Sequence, residues 1–223
     1  MQAATLKDAR RAAGLTQQQA AALLGVTQAY LSMLERGERP VSDTVAARVA
    51  MHLPVEPTAR PFTGRRPEHF EDALGALGYP GFAYLRGGTR MNPAELLLLA
   101  LDTEDLPARV VEGLPWVPLA YPNLDWEWLL REAKVRNRQN RLGYVLELSL
   151  LAARLFPKRE QVAVLEGVLT NLGLSRLAME DTLCDASMTQ VERSWQRSHR
   201  PEMAARWNLL THLQLEHLGH VLP

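Results

Sequence analysis

The segment GVTQAYLSMLERGERP, residues 25–40, decides how the front of this chain folds. Leu31 and Leu34 stand three apart, the spacing at which side chains share one face of a helix. Gln28, Tyr30, Ser32 and Met33 have no apolar partner at such a spacing. A helix held by two leucines, with polar residues over the rest of its surface, is organised around something besides its own core. The flanking residues mark its ends. Gly25 permits the positive φ that closes a preceding helix, Thr27 offers a side-chain acceptor at the next amino end, and Gly37 to Pro40 forms the turn that follows.

Working upstream, Thr16 is a helix cap ahead of Gln17 to Leu24, and Gln19 stands where it closes a capping box. Ala21 is small at the place where a crossing helix must come close. Up to Leu53 the chain shows four helical patterns of about 8 to 12 residues, punctuated by Gly14, Gly25 and the Gly37 to Pro40 turn. That is too much helix, too tightly spaced, for a fold built on strands.

Residues 6–53 resemble the helix-turn-helix domain of the Cro/phage-repressor (XRE) family. The resemblance rests on a spaced set: Gly14-Leu15-Thr16-Gln17, then Ala21, Gly25-Val26-Thr27-Gln28, Leu31, Leu34-Glu35 and Gly37. It implies a four- to five-helix lambda-repressor-like bundle whose recognition helix, about residues 28–35, enters the major groove of double-stranded DNA. On that reading Gln28 pairs with adenine, Ala29 meets a thymine methyl, and Tyr30 and Ser32 reach neighbouring base edges or phosphates. Gln17 and Thr27, at helix amino ends, fix register on phosphate oxygens, and Arg36 and Arg39 add charge to the backbone contact. The family's pattern makes Arg10 and Glu35 a structural ion pair tying the first helix to the recognition helix. The bland alternative is a small bundle with a solvated polar face, since glutamine is common on such faces.

Composition sets wide bounds around this core reading. The 223 residues are 47% hydrophobic and 22% charged, as in ordinary soluble proteins, and the longest apolar runs, such as Leu96 to Leu101, are too short to span a bilayer. The start, MQAATLKDARR, lacks the apolar stretch of a secretory signal, so a cytoplasmic location is expected and no membrane role. Cys184 is the lone cysteine, which fits a reducing compartment, and no His is placed by sequence to activate it. Net charge is zero, yet residues 1–53 hold six Lys/Arg against four acids. The small positive excess sits at the front, where a polyanion would be met.

The Pro/Gly-rich stretch from His52 to Pro67 has the composition of a linker. The expected organisation is residues 1–53 as the DNA-binding domain, 54–67 as linker, and 68–223 as a larger helical domain for dimerisation, partner or effector binding. The fold class is all-α. Beyond the linker Pro67 to Leu77 is amphipathic, and Tyr79 to Gly88 reads as a turn with room for a brief strand. Asn92-Pro-Ala-Glu95 is a capped helix start, and Asp125 opens the longest helical pattern, expected to run to about Leu155. Lys158 to Ala178 and Met188 to Leu218 are helical by period, the second broken near Pro201.

Three features of this part invite chemistry. Arg131, Lys134, Arg138 and Arg141 recur at helical spacing and line one face, as a solvated surface or as a contact for phosphates or an acidic partner. His212, Glu216, His217 and His220 lie at helical spacings, with His217 and His220 a candidate metal pair lacking a recognisable third ligand, so no metal site is assigned. Trp116, Trp126 and Trp128 cluster around Pro115, Pro118 and Pro122, as core or as a pocket wall. No Gly-x-Gly-x-x-Gly, Walker loop, nucleophile elbow or His-Glu-x-x-His occurs, so neither an enzyme nor a cofactor is expected.

The functional expectation is a sequence-specific transcriptional regulator, a repressor acting as a homodimer. Two other readings stay open: an antitoxin whose helical domain neutralises a toxin while the front domain represses their operon, and a repressor that senses a ligand through the Trp/Pro region.

Overall fold

The computed structural model describes residues 1–85, 87–155 and 159–220. The chain divides into two compact units, Met1–Arg65 and Arg66–Pro223. The first holds four helices, α1 (Ala3–Ala12), α2 (Gln17–Leu24), α3 (Gln28–Glu35) and α4 (Asp43–His52). Their ends follow from local chemistry. Thr16 and Gln19 form the reciprocal capping box of α2, and the Thr27 and Ser42 hydroxyls accept the N–H of Tyr30 and Val45 at the starts of α3 and α4. Gly25, at φ +64°, ends α2 in the left-handed conformation, with the Val26 N–H returning to the Ala21 carbonyl at 2.9 Å. Leu6, Ala20, Ala21, Leu24, Leu31, Leu34 and Val49 fill the small core. Leu53, Val55 and Ala59 also pack there, Ala59 from a 3-10 turn at Pro57–Ala59, so part of the Pro-rich stretch belongs to the first core.

The second unit continues with α5 (Phe70–Leu77), α6 (Pro93–Leu101), α7 (Ala108–Gly113), α8 (Trp116–Ala120), α9 (Trp126–Val135), α10 (Gln139–Leu155), α11 (Arg159–Gly173), α12 (Gln190–His199) and α13 (Glu202–Arg206). A parallel pair, β1 (Asp181–Thr182) and β2 (Leu209–Leu210), sets Asp181 opposite Leu209. Helix α10 is the centre, buried from Gln139 through Leu146 and again at Leu148 to Leu150, with α11 lying along it and α6, α8 and α9 around it. Gly143 is required there. A β-carbon at that position would lie 2.2 Å from the Trp207 ring, whose indole N–H donates to Glu147 at 2.7 Å.

The fold is all-α, and several expected elements are redrawn. The pattern from Asp125 to Leu155 is two helices, because Asn137 adopts φ +57° and ends α9; the Arg138 N–H reaches the Ala133 carbonyl at 2.7 Å and the Asn137 N–H that of Lys134. Asparagine does here what glycine commonly does. The expected helix from Lys158 to Ala178 stops at Gly173, while residues 156–158 lie outside the described residues. Beyond it the Asn140 side chain exchanges two 2.9 Å hydrogen bonds with the Leu177 backbone and holds the chain out of helix. Past Pro201 helix lasts only to Arg206, and the remainder is β2 and a 3-10 turn at Leu215–His217. The Tyr79 to Gly88 turn contains a 3-10 turn at Pro80–Phe82 and no strand among its described residues.

The break after α9 overturns the cationic stripe. Arg141 is fully buried; its guanidinium holds Asp181 with two bonds of 2.7 and 2.8 Å and donates to the Leu101 and Thr103 carbonyls. Arg138 bonds Asp102 and Glu104. These arginines tie α10 to the loop after α6 and to β1, and the acids they meet cancel the field a phosphate would need.

Candidate nucleic-acid interface

Helix α3 turns Leu31 and Leu34 into the first core and leaves Gln28 and Ala29 exposed, with Ser32 and Met33 half-buried. Tyr30 differs from the sequence expectation in one respect. Its ring leans on the core, so only part of the side chain faces outward. Thr27 is exposed at the amino end of α3, where its hydroxyl caps the Tyr30 N–H at 3.2 Å.

Four side chains form a continuous relay behind this surface. Arg10 grips Glu35 with a bidentate pair, Nε to Oε1 at 2.5 Å and a second nitrogen to Oε2 at 3.0 Å, and also donates to the Leu15 carbonyl. The same Oε2 accepts from Gln17 Nε2 at 2.9 Å. Gln17 Oε1 in turn accepts from Gln28 Nε2 at 2.8 Å. The carboxylate can only accept, so it dictates which end of the Gln17 amide faces it, and Gln17 then dictates the end of Gln28. Gln28 keeps its oxygen and one N–H for a bound group. A carbonyl beside an N–H is complementary to the N6 and N7 edge of adenine.

Burial alone pushes the Glu35 carboxyl up, but the Arg10 and Gln17 hydrogen bonds and the Arg10 charge outweigh it and hold the group below its ordinary value. The same bond raises Arg10. The carboxylate that orders the relay is therefore ionised at neutral pH.

Arg36 and Arg39 follow the helix and are exposed. Arg36 forks onto Glu38 at 2.6 and 3.0 Å and also donates to the Ser32 hydroxyl at 3.1 Å, so a phosphate would have to draw it away from Glu38. One contact within the first unit was not anticipated. Arg48 of α4 donates from Nη1 to the Leu24 carbonyl at 2.9 Å, placing a cation at the carboxyl end of α2, and a β-carbon on Gly25 would meet it at 2.9 Å. The pairing spans residues far apart in sequence and leaves no local signal.

The remaining candidates sit elsewhere, in the second unit. His217 ends a 3-10 turn and its ring accepts the Gln214 N–H, while His220 lies edge-on to Tyr79, so the helical spacing that suggested a metal pair is not realised. Among the described residues no three His, Cys, Asp or Glu side chains are grouped to hold a metal. Trp116 packs between Tyr79 and Tyr121, and Trp126 donates to the Pro122 carbonyl; both lie against the core. Among the described residues no helix is long and apolar enough to cross a membrane.

Residues 6–59 match the family model described as Helix-turn-helix. The segment is a helix-turn-helix domain of the XRE type, and the match supports a DNA-binding transcription regulator of that type. Its span covers most of α1, all of α2 to α4 and the turn that carries Ala59 into the core. Searches of curated proteins and of solved structures found no match.

Proposed function

We propose that this DNA-binding regulator reads its operator through α3 and represses transcription as a homodimer, without catalysing a reaction. The relay from Arg10 through Glu35 and Gln17 to Gln28 carries this reading, because a side chain whose amide polarity is fixed before binding discriminates between base edges. Gln28 and Ala29 read bases. Tyr30 and Ser32 stand beside them at base edges or phosphates, Gln17 and Thr27 set register at helix amino ends, and Arg39 supplies phosphate charge. Arg36 joins it if phosphate displaces Glu38. Arg10 and Glu35 hold the arrangement together.

One such helix makes few contacts, and two half-sites related by symmetry supply the rest, which is the reason for a dimer. The second unit has the size and the core to provide the interface. Occupying a promoter in this way blocks it without further machinery, so repression is the simplest output. Footprinting and sedimentation of the full chain on a selected duplex test the reading. Two protected half-sites with centres about 34 Å, one helical turn, or a multiple of that apart, bound by two chains, support it. A single protected site bound by one chain contradicts the dimer.

A further inference from the structure

The second unit contains a cavity of about 270 Å³ that none of the readings above uses. Leu106, Val111, Leu183, Leu210 and Cys184 line it with apolar surface. Three segments distant in sequence build it, the third, Leu210 to Leu213, joined to the second through the pairing of Thr182 with Leu210, and the first two fixed to each other by hydrogen bonds. The Leu106 N–H donates to the Cys184 carbonyl at 3.0 Å, the Ala186 N–H to that of Glu104 at 3.1 Å, and the Ser187 N–H to the Asp105 carboxylate at 2.8 Å. The cavity is thus preformed.

Among the described residues its carboxylates stand without a cation in the lining. The charged side chains in its lining are Glu112, from α7, and Asp185, from the turn after β1. Neither forms an ion pair among the described residues, in contrast to Asp102, Glu104, Glu147, Glu180 and Asp181 of the same unit, each held by an arginine. His212 also belongs to the lining, its ring nitrogen Nδ1 meeting the Gln196 amide at 3.2 Å. Ala108, Asp185 and His212 are the exposed members of the lining and mark the mouth. Burial pushes the Cys184 thiol up to about 12, so it is an inert wall and not a nucleophile.

We infer that this cavity binds a small organic cation, a primary or secondary amine with an apolar body, the ammonium meeting Glu112 and Asp185 and the body lying on the leucines. Two carboxylates without ion pairs in one lining with apolar surface favour a ligand that brings both a compensating charge and apolar area. The inference does not depend on DNA binding by the first unit.

Calorimetric titration of the full chain with phenethylamine and hexylamine, against phenylacetate and benzyl alcohol, tests it. Saturable one-to-one binding of the amines is expected, with no binding of phenylacetate. The Glu112→Gln/Asp185→Asn variant should weaken the amines at least about tenfold, as loss of charge-assisted hydrogen bonds does. Ala108→Trp at the exposed mouth should block them while the circular dichroism spectrum stays unchanged. Absence of saturable amine binding, amine binding that survives Ala108→Trp, or preference for phenylacetate would overturn the assignment.

Discussion

Gln28 donates from Nε2 to Gln17 Oε1 at 2.8 Å, joining the first residue of α3 to the first residue of α2. Because Gln17 is itself held by Glu35, the proposed reading has the two glutamines act as one unit on a bound base pair. Substituting Gln28 by Ala should weaken binding to the preferred duplex by about 1–3 kcal/mol, the range for one good bidentate base contact. Gln17→Ala should cost less in the Gln28→Ala background than it does alone. A double-mutant cycle measured by fluorescence anisotropy checks this: coupling of about 0.5 kcal/mol or more is expected for side chains in one network, and strict additivity would mean that the relay does not operate on DNA.

Arg39 carries charge without a base-reading geometry. Arg39→Ala should lower affinity for all duplexes alike and reduce the slope of log K against log salt by about one. A salt titration on preferred and scrambled duplexes reads both effects. Loss confined to the preferred sequence would reassign Arg39 to base reading.

Glu35 gives the first unit an acid limb. Its folded-state value lies below its unfolded one, so its contribution to stability is complete above the ordinary carboxylate range, about 4, and is lost as pH falls through the depressed value. Glu35→Gln should flatten that limb. It should also cost about 3 kcal/mol at pH 7, because Arg10, largely buried beside it, loses its counter-charge. Thermal melts followed between pH 7 and pH 3, taken as about the span of the limb, measure it.

Gly143→Ala would drive a methyl group into the Trp207 ring. With Trp207 anchored on Glu147 and α10 buried from Gln139 through Leu146, overpacking should destabilise the second unit by about 1–3 kcal/mol, read from urea unfolding of the full chain. A neutral result would show that Trp207 moves freely.

Cys184 should resist thiol reagents in the folded chain at pH 8 and react once urea unfolds it, since burial raises the thiol to about 12. Reaction in the native state at the rate of a free thiol would contradict that environment.

What the sequence made legible was local. Thr16 with Gln19, Gly25 and Thr27 mark helix ends through chemistry contained in a few neighbouring residues, and each stands where that chemistry puts it. Asn92 and Asp125 cap α6 and α9 for the same reason. The misreadings share a cause as well. Asn137 in a left-handed conformation carries no glycine to announce it, so two helices read as one and Arg141 fell on an imagined surface when it lies in the core. The parallel pair of Asp181–Thr182 and Leu209–Leu210 is too short for a period, and the Arg48 contact with Leu24 joins residues with no local relation. The relay lay between these extremes. Its members were named from the family pattern, but the order in which they bond is a product of how α1, α2 and α3 cross.

Everything above about the front unit turns on whether the outer surface of α3 meets base edges. Selecting duplexes from a random pool with the wild-type chain and with Gln28→Ala, side by side, tests it most directly. The account predicts one enriched motif for the wild type, and for the variant the same motif with its preference for adenine lost at one position in each half-site. Identical motifs from the two proteins, or no enrichment by the wild type, would contradict it.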